Sequence, residues 1–199
     1  MGRAQTVADR KASIINATIT VIHDRGYSEA TMAQIAKKAG VSTGLPHHYF
    51  GSKALLLNAT MVKLLKDLAM QVKSRMLPLT DPKQRIRAIV QGSFSAEQFR
   101  PEVISAWLAF YVQARTETET RRLLRVYHGR LISNLIHEFT GVMPRAKAVK
   151  AARSTAALID GLWLQMALAG DHPDPKEASE TALDHVELVL QAQPATEDV

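Results

Sequence analysis

The chain has 199 residues, 46% of them hydrophobic, which is enough apolar material for one sizeable core or two modest ones sharing an interface. It has no cysteine, which removes disulfides, thiolate metal sites and cysteine nucleophiles. The N-terminus MGRAQTVADRK carries no apolar signal core and no window approaches the roughly 18 uninterrupted apolar residues of a membrane span, so a cytoplasmic protein without membrane contact is expected.

The net charge of +6 is local: residues 1–66 hold nine Lys and Arg against three acids, while the rest of the chain holds 16 of each sign. This asymmetry predicts a polyanion-binding head on a neutral body, with solvated basic helix faces as the plainer alternative.

Apolar residues recur at helical spacing and no stretch alternates as a sheet would require, so the fold class is all-α. The first helix is predicted from about Asp9 to Arg25, with Ile14, Ile15, Thr18, Val21 and Ile22 on one side and Gly26 ending it. Thr31 caps the second, Gln34 completes a capping box, and Gly40 stops it. A third short helix covers Thr43 to Tyr49, and Ser52 caps a long fourth reaching about Met76. Asp81-Pro82 and Asp174-Pro175 each pair a capping carboxylate with a proline at the first helical position. The remaining helices are placed at 81–96, 101–114, 118–139, 145–169 and 174–192, about nine in all, and the last residues QPATEDV read as a tail.

Within TMAQIAKKAGVSTGLPHHYF, two short amphipathic helices flank a turn of Ala39, Gly40, Val41 and Ser42, the pattern of a helix-turn-helix. Ile35, Ala36, Val41, Leu45 and Tyr49 have the spacing to pack the pair on helix one, leaving the other face to double-stranded DNA. In such a motif the second helix enters the major groove, so Thr43, His47 and His48 are the candidate base readers, with Tyr49 at the end of the same helix. Gly44 permits close backbone approach, and amides near Ser42 and Thr43 offer partial positive charge to a phosphate. Thr31 at the start of helix two, Lys37, Lys38 and Lys53 complete the expected DNA-facing set, the lysines as phosphate contacts. Pro46 falls inside the predicted third helix, where it would remove an amide hydrogen bond and tilt the turn.

The run DRGYSEATMAQIAKKAGVSTGLPHHYFGSKALL closely resembles the head of the TetR family of bacterial repressors. The resemblance implies a head at 1–51, a ligand-binding and dimerisation domain at 52–199, a homodimer on a palindromic operator, and release of DNA when a small-molecule effector binds. Three body segments, AWLAFYVQAR at 106–115, RRLLRVYHGRLISNLIHEF at 121–139 and AALIDGLWLQMAL at 156–168, resemble choline-responsive members of that family. That likeness implies choline as effector and control of glycine-betaine genes.

The residues permit the same chemistry. A quaternary ammonium ion donates no hydrogen bond and is held by aromatic faces, so Trp107, Phe110, Tyr111, Tyr127 and Trp163, with Asp160 as counter-charge, are the candidate ligand set. Ordinary core packing of the same aromatics is the alternative. Ala146, Ala148, Ala151, Ala152, Ala156 and Ala157, with Leu183, Val186, Val189 and Leu190 of the last helix, suit a dimer interface, or burial within one chain. No phosphate-cradling loop, metal motif or nucleophile-base pair is present, so no catalytic residue, metal or cofactor is expected. The competing readings are a repressor answering a drug or lipid, and an architectural DNA binder without ligand control.

Overall fold

The computed structural model describes residues 6–170 and 174–192, and the predicted tail at 193–199 lies outside them. Among the described residues there are nine α-helices and no strand. They are α1 (Val7–Glu29), α2 (Met32–Ala39), α3 (Leu45–Phe50), α4 (Lys53–Met76), α5 (Pro82–Ser93), α6 (Pro101–Gln113), α7 (Thr118–Thr140), α8 (Arg145–Leu168) and α9 (Pro175–Gln191), with a single 3-10 turn at Ala96–Phe99. No described helix is long and apolar enough to cross a membrane.

The chain parts into two compact units, Met1–Lys66 with Arg100–Arg125, and Asp67–Phe99 with Val126–Val199. This differs from the expected division at residue 51. The physical reason is α6, whose apolar face of Val103, Ala106, Trp107 and Phe110 is buried and which packs on α1, so the segment around it groups with the head.

In the first unit, α1 begins with a reciprocal capping box: the Asp9 amide donates to Thr6 Oγ1 (3.1 Å) and the Thr6 amide to Asp9 Oδ2 (3.0 Å). Its buried stripe of Ile14, Ala17, Thr18, Val21 and Ile22 follows the helical period and packs on α2 and α6. Each of its buried Ile and Val side chains contributes about 1.5–3 kcal/mol. Gly26 ends the regular part of α1 as expected, at φ 76°, and one further turn follows. Thr120 Oγ1 donates to Asn58 Oδ1 (2.8 Å), tying the start of α7 to α4. Arg121 donates to the carbonyls of Ala114 and Arg115, capping α6 with positive charge where the helix dipole is negative.

In the second unit the two Asp-Pro starts behave as read: Asp81 accepts from the Lys83 and Gln84 amides, and Asp174 from those of Lys176 and Glu177. Arg85 is a hub, donating through Nε to Glu138 Oε2 (2.9 Å) and through Nη1 to the carbonyls of Met76 (3.3 Å) and Leu79 (3.2 Å) beyond the end of α4. Ala148, Ala151, Ala152 and Ala156 of α8 are buried, as are Ala178, Ala182 and Val186 of α9, on which α8 packs. Small side chains let those axes approach, so this stripe serves the chain's own helix pair. Ala146 and Ala157 face outward, together with the exposed Leu164, Leu168 and Leu188.

At the crossing of α4 and α5, a Cβ added to Gly92 would lie 2.5 Å from Val72 Cγ2. Valine is stiff about χ1 and cannot swing aside. Gly92→Ala should therefore lower stability by about 1–3 kcal/mol, read as a fall in the thermal unfolding midpoint; an unchanged midpoint would contradict the close crossing.

Candidate nucleic-acid interface and effector site

The head is built from two short helices whose ends are set by local chemistry. Thr31 Oγ1 accepts from the Gln34 amide (3.2 Å) while Gln34 Oε1 accepts from the Thr31 amide (2.9 Å), so the Thr31 hydroxyl is engaged in capping α2. Gly40 closes α2 at φ 67°, where its own amide bonds to the Lys37 carbonyl and the Val41 amide to that of Ala36, a Schellman closure that only glycine adopts without strain. Met32, Ile35 and Ala36 are buried beneath, and Lys37 and Lys38 are exposed on the last turn.

The recognition helix starts at Leu45, two residues later than the expected Thr43. Ser42, Thr43 and Gly44 are exposed in the turn before it, with the Leu45 amide donating to the Ser42 carbonyl (3.0 Å). The shift corrects the reading of Pro46. It lies in the first turn, where an amide has no intrahelical partner to lose, so it starts the helix instead of breaking it.

His47 and His48 are both exposed. His47 Nδ1 lies 3.0 Å from the Gly51 carbonyl oxygen, which can only accept, so Nδ1 carries the proton. In the neutral ring that leaves Nε2 as an acceptor, suited to the exocyclic amino group of cytosine or adenine. Tyr49 is half-buried, with its ring centroid 5.3 Å from that of His48 and the Lys11 ammonium 5.5 Å from its centre. Lys11 is a cation beside the recognition helix that the sequence reading missed. Its only signal was membership of the basic N-terminal third.

Lys53 departs from expectation. Its ammonium donates to the carbonyls of Tyr27 (2.8 Å), Ser28 (3.1 Å) and Ala30 (2.9 Å) and lies 4.6 Å from the centre of the Tyr27 ring. An ammonium has three protons, and here all three have partners inside the protein, so in this conformation none reaches a phosphate. Burial, with a smaller contribution from Glu117, pushes the Tyr27 phenol above its usual range and keeps that ring neutral.

The ligand candidates fall three to each unit. In the first, Trp107 stacks edge-on against Phe110 (6.0 Å) and tilted against Tyr111 (5.7 Å); Trp107 and Phe110 are buried, as core packing requires. In the second, Tyr127 adjoins His128 (5.2 Å), and His128 Nε2 lies 3.3 Å from Asp160 Oδ2. The Asp160 carboxyl is pushed above its ordinary range by burial, with the charge of His128 pulling the other way. Trp163 stands one turn beyond Asp160 on α8 and meets Phe99 (6.3 Å), which stacks on Phe94 (6.3 Å). Phe94 and Phe99 are not among the candidates that the sequence offers: α5 stops at Ser93, short of the expected residue 96, and the 3-10 turn that follows carries Phe99.

A depression of about 350 Å3 on the second unit, lined among others by Ile132, Ser133, Ile136, His137 and Arg145, holds no Trp, Tyr or Phe ring and no carboxylate, and so lacks the groups expected to hold a quaternary ammonium ion. Among the described residues no three His, Asp or Glu side chains gather as a metal site.

Comparison with known proteins finds family matches over both parts of the chain. Residues 14–60 match the family described as bacterial regulatory proteins, tetR family, and residues 82–191 match the BetI-type transcriptional repressor C-terminal domain. The chain is 42% identical over 189 residues to the HTH-type transcriptional regulator BetI of Brucella canis, covering 95% of this chain and 96% of that one. Among solved structures, a transcriptional regulator from Pseudomonas aeruginosa is similar with a TM-score of 0.82 at 25% identity, covering 95% of this chain and 94% of that one. A regulator from Saccharomonospora viridis, solved in complex with choline, shares the fold with a TM-score of 0.78 at 21% identity, covering 90% and 96%.

A carboxyl whose folded pKa lies above its unfolded value weakens the fold wherever it is ionised, and that penalty is relieved as pH falls through the folded pKa. Thermal unfolding of wild type and Asp160→Asn across the acid range should show the difference moving in favour of wild type as pH falls. A difference that moves the other way would contradict the buried carboxyl.

Proposed function

Because the chain belongs to the TetR family of bacterial regulatory proteins, with a C-terminal domain of the BetI repressor type, we propose that it holds a palindromic operator as a homodimer and leaves it when choline or a close relative binds the body. The observation that carries the choline reading is the pairing, within the matched C-terminal domain, of the half-buried Asp160 carboxylate with Trp163 one turn along α8. Choline offers a permanent positive charge and one hydroxyl, and a carboxylate beside an aromatic face answers both. The choline complex of the Saccharomonospora viridis regulator supports the same effector class on this fold.

On the DNA side, Thr43, His47 and His48 read bases, while Lys37, Lys38 and the newly recognised Lys11 neutralise phosphates. Two heads on a two-fold axis present their recognition helices about one duplex turn, roughly 34–36 Å, apart. The outward Leu164, Leu168 and Leu188 supply apolar surface for the α8–α9 dimer contact. Occupancy of the operator blocks transcription. An effector that favours a body conformation with a different head spacing must weaken operator binding by the same factor by which the operator weakens effector binding. The long α4, which starts in the head and ends in the body, is the lever.

Calorimetric titration with choline, against ammonium chloride as control, tests the effector. Saturable binding is expected for wild type, none for the control, and a choline affinity lowered between about 2- and 30-fold by Trp163→Ala, the range of one cation–π contact. Operator affinity should stay near wild type in Asp160→Asn while its choline response is lost; equal loss of both would sink the assignment of Asp160. Absence of choline binding by wild type would leave the repressor and require a different effector.

In the head, His47→Ala should relax sequence preference while leaving the dependence of operator affinity on salt unchanged, since a base contact releases no counterions. Competition binding with single-position operator variants measures the first, and a salt titration the second. Retained preference at every position would remove His47 from the readers.

A further inference from the structure

We propose that His128 is a resident counter-ion of Asp160 which the effector displaces, so that choline binding expels a proton from the protein. The proposal rests on the reading of Asp160 and Trp163 as the effector site. His128 on α7 brings its Nε2 to 3.3 Å from Asp160 Oδ2 on α8, the spacing of an ion pair. That nitrogen is buried yet lacks an aligned hydrogen bond, and an ionised carboxylate can only accept, so Nε2 faces it as the bearer of a proton. The His128 ring adjoins Tyr127, and Trp163 stands one turn beyond Asp160 on α8. The imidazolium therefore takes the carboxylate that, beside an aromatic face, would hold a quaternary ammonium ion.

A half-buried carboxylate balances one cation, not two. An ammonium ion placed beside Asp160 disfavours the charged form of His128, by like charge and by taking over the negative charge that answered it. Choline carries a permanent charge and nothing that titrates near neutrality, so a proton released on binding comes from the protein. Other charges around the pair are engaged elsewhere or lie in solvent. On α7 the charged position one turn from His128 is Arg125, which is exposed, and α8 carries none one turn from Asp160. On α9, which packs on α8, His185 meets Ser154, Glu187 pairs with Arg87 and Glu180 with Lys176, while Glu177 and Asp184 are exposed. Glu97, on the 3-10 turn whose Phe99 meets Trp163, is exposed as well.

The free protein holds the His128 proton and the choline complex does not. By linkage, choline affinity rises with pH across the range in which histidine titrates, by up to about tenfold per pH unit, and levels off above it. Because effector and operator oppose each other, a given choline concentration frees less operator as pH falls. Calorimetric titration of the full-length protein with choline between about pH 6 and pH 8, at each pH in phosphate and in ACES buffer, counts the protons, since the two buffers take up a proton with different heats. Wild type should release a fraction of a proton at the acid end and none at the alkaline end. His128→Gln should release none and show no slope of affinity with pH.

The proposal is overturned if wild type releases no proton or takes one up, or if release persists in His128→Gln, which would place the proton on Asp160. Should His128→Gln fail to fold, by loss of helical circular dichroism, His128→Asn replaces it, and the buffer comparison on wild type still decides whether a proton leaves. Tetramethylammonium, which has the charge without the hydroxyl, should expel the same proton. Choline that binds without proton release defeats the proposal and leaves the effector reading standing. A wild-type protein that binds neither cation at any pH defeats both.

Discussion

The constraint on which the rest depends is the fastening of α4 at both ends by cations donated to backbone carbonyls. At its first residue, Lys53 reaches back to the last turn of α1. Beyond its last, Arg85 of α5 holds the carbonyls of Met76 and Leu79. A helix of 24 residues is about 36 Å long, and its two ends are held by these separate sets of bonds. The bonds are directional because helix-end carbonyls are both unpaired and partly negative. Glu138 makes the Arg85 joint hard to leave, since its largely buried carboxylate would lose its partner.

The reading head is small, and helices of eight and six residues are far below the length at which a helix stands alone. Their order is imposed from outside by a capping box, two glycines in positive-φ turns and burial of Met32, Ile35 and Ala36. This leaves the outer surface without a packing role. On it, the bond from His47 to the Gly51 carbonyl fixes both the ring orientation and which nitrogen carries the proton. The α2 lysines, by contrast, stay exposed.

What was legible in the sequence was local. Ser52, whose Oγ accepts from the Leu55 amide, and the aspartates before Pro82 and Pro175 announce helix starts through bonds to amides two or three residues on, and the structure makes those bonds. The start of α3 is legible too in Pro46, which as a first-turn residue places the opening at Leu45 and not at Thr43. The missed features are those that depend on distant partners. Nothing near Lys53 in sequence tells that three carbonyls more than 20 residues earlier will take its protons. The alanine stripe of α8 is equally suited to a partner's helix or to the chain's own α9, and only packing chose the latter for most of it. Within the second unit, Trp163 acquired Phe99 as a neighbour through a 3-10 turn with no sequence signature.

The central claim is that one effector and one operator bind mutually exclusive arrangements of the same dimer, and it is tested most directly by measuring both sides of the linkage. Operator affinity is determined with and without saturating choline, and choline affinity with and without saturating operator. The account predicts that each falls, and by the same factor. Choline that binds saturably while operator affinity stays unchanged would contradict it.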